Sequence, residues 1–463
     1  MSTTEPVDAL ETADAYPKYN DYEGSGVDWL GDIPAHWDTA KLKFLCDRSA
    51  VYGANRSADE YTQDGVRFLR TTDIDESGAL TSEGVYIDPD SVENYMLEDG
   101  DLLLSRSGTV GRSFIYSSTK HDPCAYAGYL VRFVLDREKL SPEYAFYFTK
   151  TGNFYEWLRS NSIESTIGNV SGDKYANMPT VVPPPDEQRA IATFLDRETE
   201  RIDALIEKKE RLIDLLEEKR TALISRVVTE GLDRDVEMQD SGVEWLEEVP
   251  AGWDVARLKF LTEVQSGIAK GKRYDEDVET IELPYLRVAN VQDGFLNLDE
   301  VSEIEVATDE VERYLLRAGD VLMTEGGDYD KLGRGTVWNG NIEPCLHQNH
   351  IFAVRPRSVE SEWVALVTQA RYAKHFFIVQ SVQSTNLASI SMSSLQDLPV
   401  VVPPRETRQA ILDHVDRETE RIDTLVRKVE AAIDRLKEYR TALISAAVTG
   451  QIDVRNDVRT AAK

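Results

Sequence analysis

Two stretches of the chain carry apolar residues at alternating spacings of three and four. In residues 183–229 the stripe is Ile202, Leu205, Leu212, Leu216, Leu223 and Val227. In residues 403–449 it is Ile422, Leu425, Val429, Ile433, Leu436 and Leu443. Prolines precede each stretch, acids occupy the first turn, and no Gly or Pro intervenes until Gly231 and Gly450. That pattern predicts two long helices, each with a seam of coiled-coil period. About 40 residues at ~1.5 Å each make a rod of roughly 60 Å. Aligned at an offset of 220, residues 186–229 and 406–449 agree at 25 of 44 positions, with DRETERID and RTALIS intact. Such a repeat marks an internal duplication.

A second repeat opens each half. GSGVDWLGDIPAHWDTAKLKFL (residues 24–45) answers DSGVEWLEEVPAGWDVARLKFL (residues 240–261). Trp29, Pro34 and Trp37 pair with Trp245, Pro250 and Trp253, which read as packing anchors. Between opener and helix, short runs rich in Val, Ile, Phe and Tyr predict strands at 66–69, 101–104 and 130–135. Their counterparts are 283–288, 320–323 and 351–354. Helical stretches are predicted at 143–161 and 362–379. Each head closes on an apolar strand running into prolines. The expected architecture is α/β (α+β) globular heads plus long α-helices, in the order head, helix, head, helix. The expected segments are an acidic tail (1–23), a first head (24–183), a central helix (184–231), a linker and second head (232–403), a C-terminal helix (404–450) and a tail (451–463). Antiparallel packing of the helices as a coiled coil would give pseudo-twofold symmetry. It would also return the chain end to the first head, because VTGQIDVR near the C-terminus resembles VTEGLDRD at the linker.

Composition changes the picture in one respect. The chain has 83 acidic and 52 basic residues and a net charge of −31, which on its face argues against a nucleic-acid partner. A salt-loaded cytoplasm reverses that argument, since at ~1 M salt the Debye length is roughly 3 Å and global repulsion is screened. A halophilic host is therefore expected. No apolar run is long enough to span a membrane, the N-terminus has no signal-peptide core, and three scattered cysteines make no disulfide framework.

The Pro-Pro runs are preceded by Val, not by the Asn or Asp of an amine methyltransferase, and no G-x-x-x-x-G-K-[ST] phosphate loop occurs. The glycines of SRSGTVGR fit either turns or a backbone-contacting loop. Cys345, His347 and His350 are close in sequence, but a strand would turn the two histidines to opposite faces, so no metal site is expected. Acidic runs on the rods read as solvated helix faces.

The openers with W-L-x-x-[IV]-P-x-x-W, the G-D-[LV]-L loops, the EGGDYDKLGRG run, HQNHIFAVR and the Pro-Pro helices together resemble the specificity subunits of type I restriction–modification systems. The resemblance runs from about residue 19 to residue 451, and PPPDEQRAIATFLDRETERID is its most specific part. Thr407 and Arg408 depart from it, standing where the first copy has Glu-Gln. The resemblance implies a non-catalytic chain whose heads each read half of a split, asymmetric double-stranded DNA target. Its helices would set the spacer and bind modification (methyltransferase) subunits. It also implies that S-adenosylmethionine, ATP and Mg2+ belong to partners, ATP to a restriction subunit, and that the complex is cytoplasmic. Two other classes stand beside it: a duplicated scaffold joining proteins without DNA, and a standalone nuclease or methylase.

Reading bases requires donors and acceptors on loops that can enter a groove. The candidates are Arg70, Thr72, Arg106, Ser107 and Arg112 in the first head. In the second they are Arg273, Arg287, Asn290, Lys331, Arg334, His347 and Asn349. Arg70 and Arg287 stand at equivalent places, which favours phosphate over base contact for that pair.

Overall fold

The structure, a computed structural model, is described for residues 16–161, 168–327, 332–333, 335–384 and 387–457. It contains two long helices, Pro185–Thr229 and Arg405–Val448, amid short strands and short helices. Its chain contacts divide it into two units: residues 1–210 with 430–463, and residues 211–429. The division falls inside the long helices. Each unit therefore contains one head and a piece of both helices, a different partition from head against rod.

In the first unit, Leu102–Ser105 lies between Leu130–Phe133 and Ser113–Ile115, all antiparallel, with Val51–Tyr52 at the edge beyond Leu130–Phe133. Leu102–Ser105 is buried throughout, as a continuous apolar run predicts. A second sheet sets Cys124–Tyr126 parallel to Val66–Leu69, followed by Val85–Ile87 and Tyr61–Thr62. Asp38–Lys41 from the opener pairs antiparallel with Pro179–Val182, which hands the chain to the central helix with Pro185 as its first residue.

The second unit repeats this plan. Val321–Thr324 lies between Ile351–Pro356 and Gly335–Val337, with Thr262–Ser266 outside. Leu346–His347 runs parallel to Thr280–Leu286, and Asp254–Arg257 pairs with Pro399–Val402. The Asp of each G-D-[LV]-L is buried and structural. Asp101 accepts from the Glu98 amide (2.6 Å), and Asp320 from the Arg317 amide (2.9 Å). Each also meets an arginine of the neighbouring strand, Arg132 at 2.7 Å and Arg355 at 2.7 Å.

The repeated helix residues make the same contacts twice. In the first unit Arg440 Nε meets Asp203 Oδ1 at 3.0 Å; in the second Arg220 Nη1 meets Asp423 Oδ1 at 2.8 Å. These are the last Asp of DRETERID and the Arg of RTALIS, so in each unit the first part of one repeated helix lies beside the last part of the other. The serine of RTALIS caps a head helix. Ser445 Oγ accepts from the Gly152 amide (3.2 Å), and Ser225 Oγ from the Arg371 amide (2.9 Å). Gly450 and Gly231 both have positive φ just past the helix ends. A Cβ on either would strike the opener: Pro34 at 2.3 Å or Trp253 at 3.1 Å. The tryptophan anchors thus clamp the helix exits. In the first unit the chain end is tied back as expected, with Tyr144 Oη donating to Val448 O (3.0 Å) and the Asp453 amide to Pro17 O (2.7 Å).

Two expectations are corrected. Of the seam residues, Ile202, Leu216, Ile422, Ile433 and Leu443 are buried, but Leu205, Leu212 and Leu425 are exposed. Leu205 and Leu425 lie two residues beyond Asp203 and Asp423. About 200° of helix rotation turns them away from the face that meets the partner helix. Leu212, near the helix middle, is left uncovered as well. The first turns of the central helix bury Ile191, Phe194 and Leu195 in the head's core instead. Each head helix is split in two, Pro142–Phe148 from Gly152–Asn161 and Ser361–Gln369 from Arg371–Gln380. The second break has no Gly or Pro; Ala370 is extended (φ −66°, ψ 147°), and the following helix starts at the Ser225 cap. The exchange of Glu187-Gln188 for Thr407-Arg408 leaves the second helix start in place. Gln188 Nε2 donates to Pro183 O (2.8 Å), and Arg408 Nη1 takes the same role at Pro403 O (2.7 Å) while pairing with Glu360.

Candidate nucleic-acid interface

In each head one rim is built by loops tied together through equivalent backbone bonds. In the first head the turn at 127–129 receives the Arg106 amide on Tyr129 O (2.9 Å) and donates the Ala127 amide to Leu69 O (2.9 Å). In the second, Glu325 donates to His350 O (2.9 Å) and Gln348 to Leu286 O (2.9 Å). Residues 53–54 and 267–268 close the same rim, with Ala54 N on Tyr126 O (2.9 Å) and Ile268 N on His347 O (2.9 Å). The scaffold is shared and its side chains are not: Arg106 stands where Glu325 does, and Tyr129 where His350 does.

On the first rim, Arg70 forms a fork on buried Asp73, with Nε to Oδ2 at 3.0 Å and Nη2 to Oδ1 at 2.7 Å. That bond raises its pKa further, so its positive charge is fixed. Thr72 is exposed beside it, and Gly108 lies against Thr71. The Arg106 guanidinium is 4.6 Å from the Tyr52 ring centroid, and its Nε is buried with no partner. Ser107 bridges to Asn169 through the backbone. Gly108 and Gly111 both have positive φ, and Leu158 would meet a Cβ on Gly111 at 2.3 Å, so these glycines make the turn of a hairpin. Arg112 Nη1 donates to Ile74 O (2.7 Å) and braces that hairpin against the 70–74 loop.

On the second rim the Arg287 amide is held by Asn290 Oδ1 (2.8 Å), as Arg70's is by Asp73. Asn290 cannot fork the guanidinium, because its Nδ2 is spent on Asn297 O (2.9 Å) and Glu300 O (2.9 Å). Arg287 Nε is left buried and without a partner. Arg273 is exposed on a separate loop, next to Lys272 and Tyr274, which both bind Glu310. Asn349 is half-buried, 3.4 Å from His350, and His350 Nδ1 meets Glu325 at 2.5 Å. Lys331 and Arg334 lie outside the described residues.

Two candidates are corrected. His347 is fully buried, with Nδ1 3.1 Å from Tyr314 O, and burial pushes its pKa down to about 4, so it is a neutral core residue. Asn290 is buried and holds its own loop together. Both lie under the rim and present nothing to a groove. Sequence reasoning missed Tyr52, whose ring lies against Arg106, and Tyr129 (63% exposed), whose carbonyl accepts the Arg106 amide. The available signal was Tyr within a glycine-containing turn, at the position where the second half has His350.

The described residues of the rims supply donors, cations and aromatic faces. Among the described residues no cluster of His, Cys, Asp and Glu is placed to hold a metal ion, and no helix is long and apolar enough to cross a membrane.

Residues 34–215 match the family model described as "Type I restriction modification DNA specificity domain". Over 437 residues the chain is 23% identical to the type I restriction enzyme MjaIX specificity subunit of Methanocaldococcus jannaschii, covering 92% of this chain and 95% of that one. It is 21% identical over 438 residues to the EcoKI specificity subunit of Escherichia coli, covering 91% and 90%. A solved chain from work on assembly and conformational transition of a type I restriction–modification system superposes with a TM-score of 0.66. It has 17% identity, over 90% of this chain and 98% of that one. The crystal structure of the HsdS subunit from Thermoanaerobacter tengcongensis gives a TM-score of 0.50 over the same shares.

Proposed function

We propose that this chain is a type I restriction–modification specificity subunit, the non-catalytic DNA-recognition member of such a complex. Its relatives along almost the whole chain are specificity subunits. The observation that carries the reading is the pair of rims. Equivalent backbone bonds hold the same loops in both heads, while the exposed side chains differ. A duplicated frame with unlike reading surfaces suits a split, asymmetric target. The alternative of a scaffold without DNA contact gives no reason for Arg, Thr and Tyr on one rim and His, Asn and Arg on the other.

The finer points belong to the same proposal. The helix segments would dock adenine-methylating subunits and fix the spacer between half-sites. S-adenosylmethionine would be bound by those subunits, ATP and Mg2+ by a restriction subunit, in the cytoplasm. The charge of −31 suits a host with high internal salt, where the protein should lose stability in dilute buffer.

The test is selection of bound duplexes from a random library by the chain together with its modification subunit, in high salt. Two fixed half-sites separated by a constant gap are expected. Replacing residues 24–182 by the head of a relative should change one half-site alone. Binding without sequence preference would refute the reading.

A further inference from the structure

Residues 24–45 and 240–261 agree at fourteen positions, and most of those side chains are buried or form turns. Phe44 and Phe260 are different. They are equivalent, and they are 62% and 72% exposed. Each lies on a single helical turn, Leu42–Leu45 or Leu258–Leu261, whose two leucines are buried. A three-residue spacing points those leucines inward and leaves the intervening positions facing out. An outward position in a strongly acidic chain would ordinarily be polar, yet both copies place a phenylalanine there.

The surroundings of the ring are also duplicated. Lys43 Nζ is 5.1 Å from the Phe44 ring centroid, and Lys259 Nζ is 5.6 Å from that of Phe260. Lys43 is tethered to Asn177 Oδ1 (2.8 Å), and Lys259 to Asp397 Oδ1 (2.7 Å). Asn177 and Asp397 are equivalent C-cap residues of the short helices Gly172–Ala176 and Met392–Gln396. The ring is thus held from one side by a fixed cation while much of it remains in solvent. Lys41 and Arg257 stand at equivalent places beside each ring; Arg257 shares Asp397 with Lys259 (3.2 Å), so two cations face one carboxylate there.

We propose that Phe44 and Phe260 are twin docking knobs, each seated in an apolar, acid-rimmed pocket on one of two copies of the same partner protein. The rims that would read DNA have diverged between the halves, whereas this device is the same in both. Two identical knobs require one pocket presented twice. The cations beside each ring make carboxylates the complementary rim. The inference rests on the reading that the chain assembles with modification subunits, and it assigns the surface they grip.

The experiment mixes the full chain in high salt with its own modification subunit. Stoichiometry and affinity are read by analytical ultracentrifugation, and DNA binding by the chain alone is measured in parallel. Wild type should bind two copies. Phe44→Ala and Phe260→Ala should each weaken one copy ~10- to 100-fold, the range of a truncated aromatic anchor. Both together should prevent assembly, with melting temperature and DNA affinity of the isolated chain unchanged. Phe44→Trp should retain the second copy. Two copies bound with undiminished affinity by the double variant would overturn the proposal. So would lost DNA affinity with normal assembly, which would turn the knobs towards DNA. Failure of the wild type to bind any modification subunit would instead sink the functional reading, and this inference with it.

Discussion

Replacing Lys150 by methionine should stabilise the first unit at neutral pH. Lys150 is 7% exposed, at the break between the two head helices. Its Nζ has one hydrogen-bond acceptor, Glu76 O at 3.0 Å, and lies 4.7 Å from the Phe146 ring centroid. Burial, then the charges of Arg440 and Arg112, push its pKa down from 10.5 to about 7. In the unfolded chain it returns to its ordinary value. Between pH 7 and 10.5 the unfolded state therefore holds a proton that the folded state has released, so stability rises with pH across that window. The contribution is fully present above pH 10.5 and is lost as pH falls to about 7. The drop from 10.5 to about 7, at ~1.4 kcal/mol per tenfold change in proton affinity, sets a ceiling of about 5 kcal/mol. Methionine keeps the apolar stem and removes the charge, but it forfeits the Glu76 bond and the Phe146 contact, together about 1–2 kcal/mol. The expected gain at pH 7 is about 3 kcal/mol. It should shrink as pH rises and reverse between about pH 9 and 10, where the remaining charge penalty falls below the ~1–2 kcal/mol of lost contacts. Urea denaturation of both proteins at several pH values from 7 to 11, in constant high salt, measures the difference. Subtracting the two curves cancels the tyrosines and cysteines that titrate in the same range. A variant that is less stable at pH 7, or a difference that does not change with pH, would refute the reasoning.

Three further outcomes follow from the geometry. Arg287→Ala should cost ~1–3 kcal/mol in DNA affinity, and Arg70→Ala should cost less because Asp73 already occupies its fork; binding titrations that rank them in reverse would count against the rim assignment. Ser225→Ala and Ser445→Ala should each lower stability by ~1 kcal/mol through loss of a helix cap, measured by denaturation, with both half-sites unchanged. Insertion of four helix-forming residues after Glu207 lengthens that helix by ~6 Å. On the proposed reading the preferred spacer should grow by one to two base pairs, at reduced affinity, when spacer length is varied in methylation assays.

The sequence alone determined the duplication, the two long helices and the strands, because these rest on period and repetition. A 25-of-44 match and an uninterrupted helical pattern leave little for tertiary context to alter. It did not determine which side of each helix meets the other. The spacing of Leu205, Leu212 and Leu425 suits a seam, yet only the cross-helix pairs Asp203–Arg440 and Arg220–Asp423 fix the rotation, and those need both helices in place. The breaks in the head helices escaped for a similar reason: Ala370 is a good helix former, and the Ser225 cap that starts the next helix lies 146 residues away. For the rim, sequence placed Arg70, Arg106 and Arg287 at strand exits, a local property. Whether a donor at such a place faces solvent or core is decided by the neighbouring strand. That is why His347, with the composition of a reading residue, lies buried against Tyr314, while Tyr129 faces outward from the equivalent turn.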